Sequence, residues 1–392
     1  MRQPVAPITL LVLTLTLLSI GLVMVYSASG ARAGWEQRRL VRSIDAEIVD
    51  EYSHHSPAYF ERQVVWAVAG VLLLALLVAV DVQWLYRATP WVAGFMLLLL
   101  LMVLLTPLGV TAKGATRWLR LGPIVIQPSE FAKPVLVLLM ARLLSIKREN
   151  VRQLFRGFIP LVLTSAVFLG LILAQRDLGT VLVLGLVVVG MWLLARLRAV
   201  HLAGVAVAAV PVLVWALFAQ RYRIERIMAM FDLEKHASTT GYQLSQSLIS
   251  VGSGGLTGTG LGMGLQKYMF LSESHTDFIF AILCEELGFL GAAGVVALFL
   301  FWVLHGLRIA LRATDYFSCL TAAGMTLVVG ISAFVNFLVV LGLAPTKGLA
   351  LPFISYGGSA LLGAMICTGI VLKIANESLD SNGAREVLPL ST

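Results

Sequence analysis

Long apolar blocks alternate with short polar breaks along this chain. The blocks fall near residues 8–26, 63–80, 91–108, 130–146, 158–174, 178–195, 201–219, 277–304, 318–343 and 350–373. A helix rises about 1.5 Å per residue, so each block can cross roughly 30 Å of hydrocarbon. The pattern predicts an all-α polytopic membrane protein with about ten transmembrane helices. An even number puts both termini on one side. Gln175-Arg176-Asp177 interrupts a nearly continuous apolar run. Charge exposed at mid-bilayer is costly, so a short turn between two spans is expected there. The first block, Ile8 to Val25 followed by Ser27-Ala28-Ser29, is long for a signal-peptide core and reads as a retained first helix.

Four connections exceed a simple hairpin: 27–62, 109–129, 142–157 and 220–276. The first is polar and has no recognisable chemistry; it fits a disordered stretch or an interfacial helix. By span counting, the second and fourth share a side with the turns at 175–177 and 344–349. The segments richest in chemical groups therefore converge on one face.

Composition strengthens the membrane reading. Of 392 residues, 59% are hydrophobic and 13% charged, against roughly 45–50% and about 25% in soluble domains. One membrane domain over 1–392 is expected, with a large loop at 220–276 between helices 7 and 8. The net charge is +8. Such basicity suits loops facing anionic lipid, or a surface for a phosphate-bearing substrate. The 29 Lys and Arg divide almost evenly between the two sides and do not set orientation. No basic run interleaved with aromatics suggests nucleic acid. Cys284, Cys319 and Cys367 lie in or beside apolar blocks without ligand spacing and read as small core residues. No cofactor is evident; a divalent cation (Mg or Mn) stays open, since no His/Cys/Asp cluster has metal-ligand spacing.

Candidate chemistry sits in the polar breaks. In 109–129, Arg117 and Arg120 flank Trp118, a pattern that suits a phosphate or lipid headgroup, while Trp118 alone suits an interfacial anchor. Ser129 after Pro128 is placed to cap the next helix. Glu130 and Lys133, three apart, can pair at the membrane edge. The run Ser250 to Gly264 holds seven glycines; it lacks a Gly-Lys-Ser/Thr ending and strand–helix context, so a nucleotide loop is a weak reading beside close backbone approach. Arg221, Arg223 and Arg226 precede it on part of one helical face. Asp277 stands where the loop enters an apolar helix, as a helix cap or a general base; spacing does not choose. Glu285 and Glu286 lie further in, and intramembrane carboxylates are expected to be paired or functional. Glu286 is better suited to bracing helix packing. Lys347, with no nearby acid in sequence, should meet a remote carboxylate or an anionic substrate.

Several segments together resemble the SEDS family (shape, elongation, division and sporulation). They are Tyr26 to Ser29, Gly114 to Trp118, Gln127 to Glu130, Asp177 to Thr180, Gly241 to Gln243, His275 to Phe278, Glu285 to Gly288 and Lys347 to Ser359. The Pro345-Thr346-Lys347-Gly348 form is similar to the cell-division branch rather than the rod-elongation branch. Arg176 departs from the family's usual proline. The resemblance implies the SEDS fold, with residues 1–7 and 374–392 cytoplasmic and 220–276 extracytoplasmic, in the bacterial cytoplasmic (inner) membrane at the division septum. It implies polymerisation of lipid II into glycan strands with undecaprenyl pyrophosphate leaving, and puts the essential acid at Asp277. Lys347, Arg117, Trp118, Arg120, Glu130, Lys133 and His275 are the expected substrate-binding set, and Glu285, Glu286 and Asp177 the structural acids. Expected partners are lipid II, a class B penicillin-binding protein, other division-complex membrane proteins and membrane lipid. The rival readings are a lipid II flippase, a transpeptidase-recruiting scaffold and the rod-elongation polymerase.

Overall fold

The computed structural model describes residues 5–41, 58–112, 115–122, 124–218, 220–236, 239–267, 271, 275–346 and 348–387. Each predicted apolar block contributes a helix: α1 (Val5–Val41), α2 (Ala58–Ala79), α3 (Val82–Leu105), α4 (Pro128–Ile146), α5 (Ile159–Ala174), α6 (Leu178–Leu194) and α7 (Ala199–Phe218). Three short helices follow, α8 (Arg221–Phe231), α9 (Leu233–His236) and α10 (Tyr242–Ser253). The chain closes with α11 (Ile279–Leu311), α12 (Tyr316–Val340) and α13 (Gly358–Val387). Among the described residues, eight helices are long and apolar enough to cross a membrane, and α6 is a shorter apolar one. The tenth, α4, carries Glu130, Lys133 and Arg142 yet is among the most enclosed, with Ala132, Leu136, Met140, Ala141 and Leu144 fully buried. It packs against α3, α12 and α13 at the centre, while α7 lies at the periphery with little of its span buried.

The structure alters several expected boundaries. Helix α1 continues through Val41, so much of 27–62 is helical. The connection at 109–129 is a small antiparallel sheet, β1 (Gly109–Ala112), β2 (Ala115–Leu121) and β3 (Ile124–Ile126), an addition to an otherwise helical fold. The 220–276 connection is largely the helices α8 to α10. The last span begins at Gly358 rather than near 350, because Leu349, Leu351, Phe353 and Ile354 are buried in irregular backbone. That segment enters the bundle beside α1, where a Cβ on Gly21 would lie 2.4 Å from the Phe353 carbonyl.

Helix α11 is broken at Gly288 (φ 68°, ψ −170°), a region essentially restricted to glycine. A break within an apolar layer strands backbone donors and acceptors that water cannot reach. The glycine-rich loop after α10 satisfies them. Thr259 N donates to Glu285 O at 2.9 Å and Gly260 N to Glu286 O at 3.0 Å. In return, Phe289 N donates to Gly255 O at 2.9 Å and Leu290 N to Leu256 O at 3.1 Å. The approach is so close that a Cβ on Gly258 would sit 2.2 Å from Glu286 O. Glycine density here serves backbone docking.

Gly288→Ala should cost on the order of 2–3 kcal/mol, because the new Cβ would lie 2.3 Å from Gly258 N. The expected outcome is a thermal midpoint in detergent several degrees lower, measured beside Gly294→Ala, where a Cβ meets nothing within 4 Å.

Candidate active site

Asp277 is placed by its backbone. Asn336 on α12 donates one amide to Asp277 O at 2.9 Å and to Leu349 O at 2.7 Å. Ser355 Oγ donates to Thr276 O at 2.6 Å and accepts from Leu351 N at 2.8 Å. Tyr356 N donates to His275 O at 2.9 Å. From α2, Gln63 donates to Ser355 O and accepts from Gly357 N, each at 3.3 Å. The His275-Thr276-Asp277 strip is thereby bound to the segment before α13. The N-cap of α11 is Phe278, so Asp277 stands one residue outside the capping position. Its carboxylate faces Gly348, where a Cβ would lie 3.1 Å from Oδ2.

Asp277 lines a cavity of about 680 Å³, within the range of sites that enclose a drug-sized ligand. Trp118, Arg117 and Gln127 come from the sheet and the start of α4, with Glu130 one turn in. Arg226 and Gln243 come from α8 and α10, and Thr346, Tyr356 and Ser359 from the α12–α13 connection. The predicted gathering of loops at one face is therefore met by Arg117, Trp118, Glu130 and Asp277. Lys133 stands behind the wall, its Nζ 2.7 Å from both Glu130 oxygens. Arg120 is exposed and outside the lining, and His275 is buried against the rings of Tyr59 and Tyr356 at 5.2 and 5.6 Å. Burial pushes the Tyr356 phenol above its ordinary 10.0 against the pull of Arg62, keeping it a neutral hydroxyl. Lys347 lies outside the described residues; its neighbours Thr346 and Gly348 both line the cavity.

Asp177 is buried at the start of α6 and organises the adjoining wall. It accepts from Thr180 N and Oγ1 at 3.2 and 2.9 Å, from Ser129 Oγ at 3.2 Å and from Gln127 Nε2 at 3.3 Å. Arg117 lies 3.8 Å away and also donates to the Arg176 carbonyl at 2.7 Å. One carboxylate thus ties β2, α4 and α6 together. Ser129 does not cap α4: the N-cap is Gln127, Pro128 takes the first position, and the Ser129 hydroxyl is drawn to Asp177. Arg176 adopts φ 62°, with Arg176 N donating to Leu173 O and Asp177 N to Ile172 O, a left-handed helix stop. Proline, with φ near −65° and no N–H, cannot form that turn.

The two intramembrane acids are both engaged. Glu285 accepts from Leu265 N at 2.6 Å, Gln266 N at 3.3 Å and Ser250 Oγ at 3.2 Å, anchoring the glycine loop. Glu286 meets Lys267 Nζ at 2.7 Å and Ser27 Oγ at 2.7 Å, joining α11, the loop and α1. Lys267 was not among the expected site residues; the one signal for it was Glu286, a buried acid without a basic neighbour in sequence. Arg223, Gln63, Asn336 and Ser355 were also missed as positioning groups.

Breaking a buried pair strands a charge and costs about 3–5 kcal/mol. Lys267→Met and Glu286→Gln should each lower the thermal midpoint sharply, and the double variant by less than the sum of the two. Additive losses would show that the two groups do not stabilise one another.

The family model described as "Cell cycle protein", named for FtsW, RodA and SpoVE, matches residues 8–379. The Probable peptidoglycan glycosyltransferase FtsW of Geobacter metallireducens is 40% identical over 370 residues, covering 94% of each chain. Stage V sporulation protein E of Bacillus subtilis is 36% identical over 378 residues, covering 94% of this chain and 96% of that protein. Among solved structures, the rod shape determining protein RodA of Thermus thermophilus superposes with a TM-score of 0.65 at 27% identity, covering 94% of this chain and 96% of that one. A chain from a peptidoglycan synthase complex, studied for coordination of polymerization and crosslinking, gives a TM-score of 0.74 at 26% identity, covering 94% and 97%. With the cavity, the broken helix and these likenesses together, the chain belongs to the SEDS family.

Proposed function

We propose that this chain is a peptidoglycan glycosyltransferase that polymerises lipid II into septal glycan strands, with Asp277 as general base. The observation that carries the reading is the placement of a backbone-anchored carboxylate on the wall of a cavity that also presents Arg117 and Arg226. A sugar hydroxyl is a poor nucleophile until its proton has somewhere to go. A positioned carboxylate typically contributes 10²–10⁴-fold. The acceptor oxygen bonds to the donor's anomeric carbon and its proton passes to Asp277. The anomeric carbon–phosphate oxygen bond breaks, and the electron pair leaves with undecaprenyl pyrophosphate. Arginine donors stabilise the charge that gathers on that leaving group. Lys347, between two cavity-lining residues, is assigned to the same anion. Glu130, held by Lys133, shapes the opposite wall.

The names of the relatives and the synthase-complex likeness support an enzyme working beside a class B penicillin-binding protein. The cavity opens on the extracytoplasmic side of the bacterial cytoplasmic membrane in this reading, with both termini inside.

The test is polymerisation of lipid II by the purified chain reconstituted with its penicillin-binding partner. Asp277→Asn is expected to lower the rate at least 100-fold with an unchanged thermal midpoint. Glycan chains made by Asp277→Asn at the wild-type rate would remove Asp277 as the base. A wild-type chain that moves lipid II across vesicles but makes no polymer would favour a transporter.

A further inference from the structure

The small sheet beside the cavity has an open edge. Its strand order is β1-β2-β3, so β3 pairs on one side only. Two observations fix which peptide groups of β3 face outward. Arg120 stands opposite Val125 in the β2–β3 register, and Arg120 N donates to Leu108 O at 3.0 Å, on the β1 side. In an antiparallel pair a residue turns its N–H and C=O to the same side, and successive residues alternate. Arg120 therefore turns away from β3, and Val125 opposite it turns away from β2. From the other end, Gln127 N donates outward to Ser359 Oγ at 3.0 Å. Val125 lies two residues back along extended chain and shares that direction.

Val125 and Ser359 both line the large cavity. Among the described residues, neither the N–H nor the C=O of Val125 has a partner outside the sheet, and the residue is 43% exposed. An open strand edge is a template for another extended chain, and this one carries apolar Ile124, also exposed, beside Val125. The geometry selects the kind of ligand as well. The free N–H and C=O flank one Cα and point the same way. An extended amino-acid residue matches them, exchanging both bonds as in a close antiparallel pair. The acetamido group of a sugar holds its N–H and C=O on opposite sides of one planar unit, so it can meet only one of the two.

We infer that the free edge of β3 binds the peptide that lipid II carries on its sugar, one extended residue of it exchanging two main-chain hydrogen bonds with Val125. The inference rests on the glycosyltransferase reading for the identity of the substrate. The contact lies with the peptide and not with the reacting sugars, so it is made equally before and during bond transfer. Its loss therefore falls on KM rather than on kcat.

The test uses Val125→Pro, which removes the outward N–H alone; an edge strand accepts proline where that N–H faces away from the sheet. The purified full-length chain is titrated with lipid II, and with the same lipid-linked disaccharide after its peptide has been cleaved off. Val125→Pro is expected to weaken lipid II binding about 5-fold, the scale of one hydrogen bond, and to bind the peptide-free lipid as wild type does. Hydrogen exchange on the wild-type chain gives a second reading that needs no variant and decides the matter if Val125→Pro does not fold. The Val125 amide should exchange at least about 10-fold more slowly at saturating lipid II, and at its free rate with the peptide-free lipid. Equal losses on both lipids would mark a distorted wall and overturn the inference. So would wild-type affinity for lipid II in Val125→Pro with its thermal midpoint intact, or exchange at Val125 that lipid II does not change. If the wild-type chain polymerises lipid II in those cases, the peptide subsite fails alone. If the peptide-dependent loss is found in a chain that makes no polymer, the edge stands as a peptide site and the glycosyltransferase reading fails.

Discussion

A polar group inside an apolar layer must find its partner within the chain, and that constraint shapes this structure at each point where a helix is interrupted. The break in α11 at Gly288 is the clearest case. Carbonyls of Glu285 and Glu286 lose their helical donors there, and the glycine loop supplies Thr259 and Gly260 in their place. The side chains obey the same rule: Glu285 takes the amides of Leu265 and Gln266, and Glu286 takes Lys267 and Ser27. Remove one of these and a buried group loses a partner that water cannot replace.

The same constraint gives the candidate site its rigidity. Asp277 sits between a broken helix and an irregular segment, both of which would be loose if their backbone groups were left to solvent. Asn336, Ser355 and Gln63 instead bind the two segments to α12 and α2. Across the cavity, Asp177 does the same for Arg117 and the start of α4. In the proposed mechanism Asp277 and Arg117 meet the substrate, while Asn336, Ser355 and Asp177 hold the segments that carry them. A carboxylate fixed by its surroundings needs little reorganisation when a proton arrives.

Much of the architecture was legible in the sequence because hydrophobic length reports directly on membrane crossing. The ten apolar blocks became ten helices, and Gln175-Arg176-Asp177 became the turn between α5 and α6. Apolar content reports burial, though, and not helicity, so Leu349 to Ile354 read as the start of a span when they form a buried irregular segment. Ser129 had the look of a helix cap, yet an acid 48 positions away takes its hydroxyl. Lys267 and Glu286 show the same limit: the sequence demands a partner for a buried acid without saying which, and the two stand 19 positions apart across a loop and the start of a helix. Residue types announce a need; only the fold assigns the partner.

The central claim is that Asp277 acts on the proton of a bound acceptor and is not required to hold the substrate or the fold. Binding of lipid II to purified Asp277→Asn, set against wild type, tests it most directly. The account predicts affinities within about threefold of one another, since the cavity walls and arginines are unchanged, in a variant that does not turn over. An Asp277→Asn chain that folds normally but binds lipid II more than 100-fold more weakly would contradict it, making Asp277 a binding residue instead of the base.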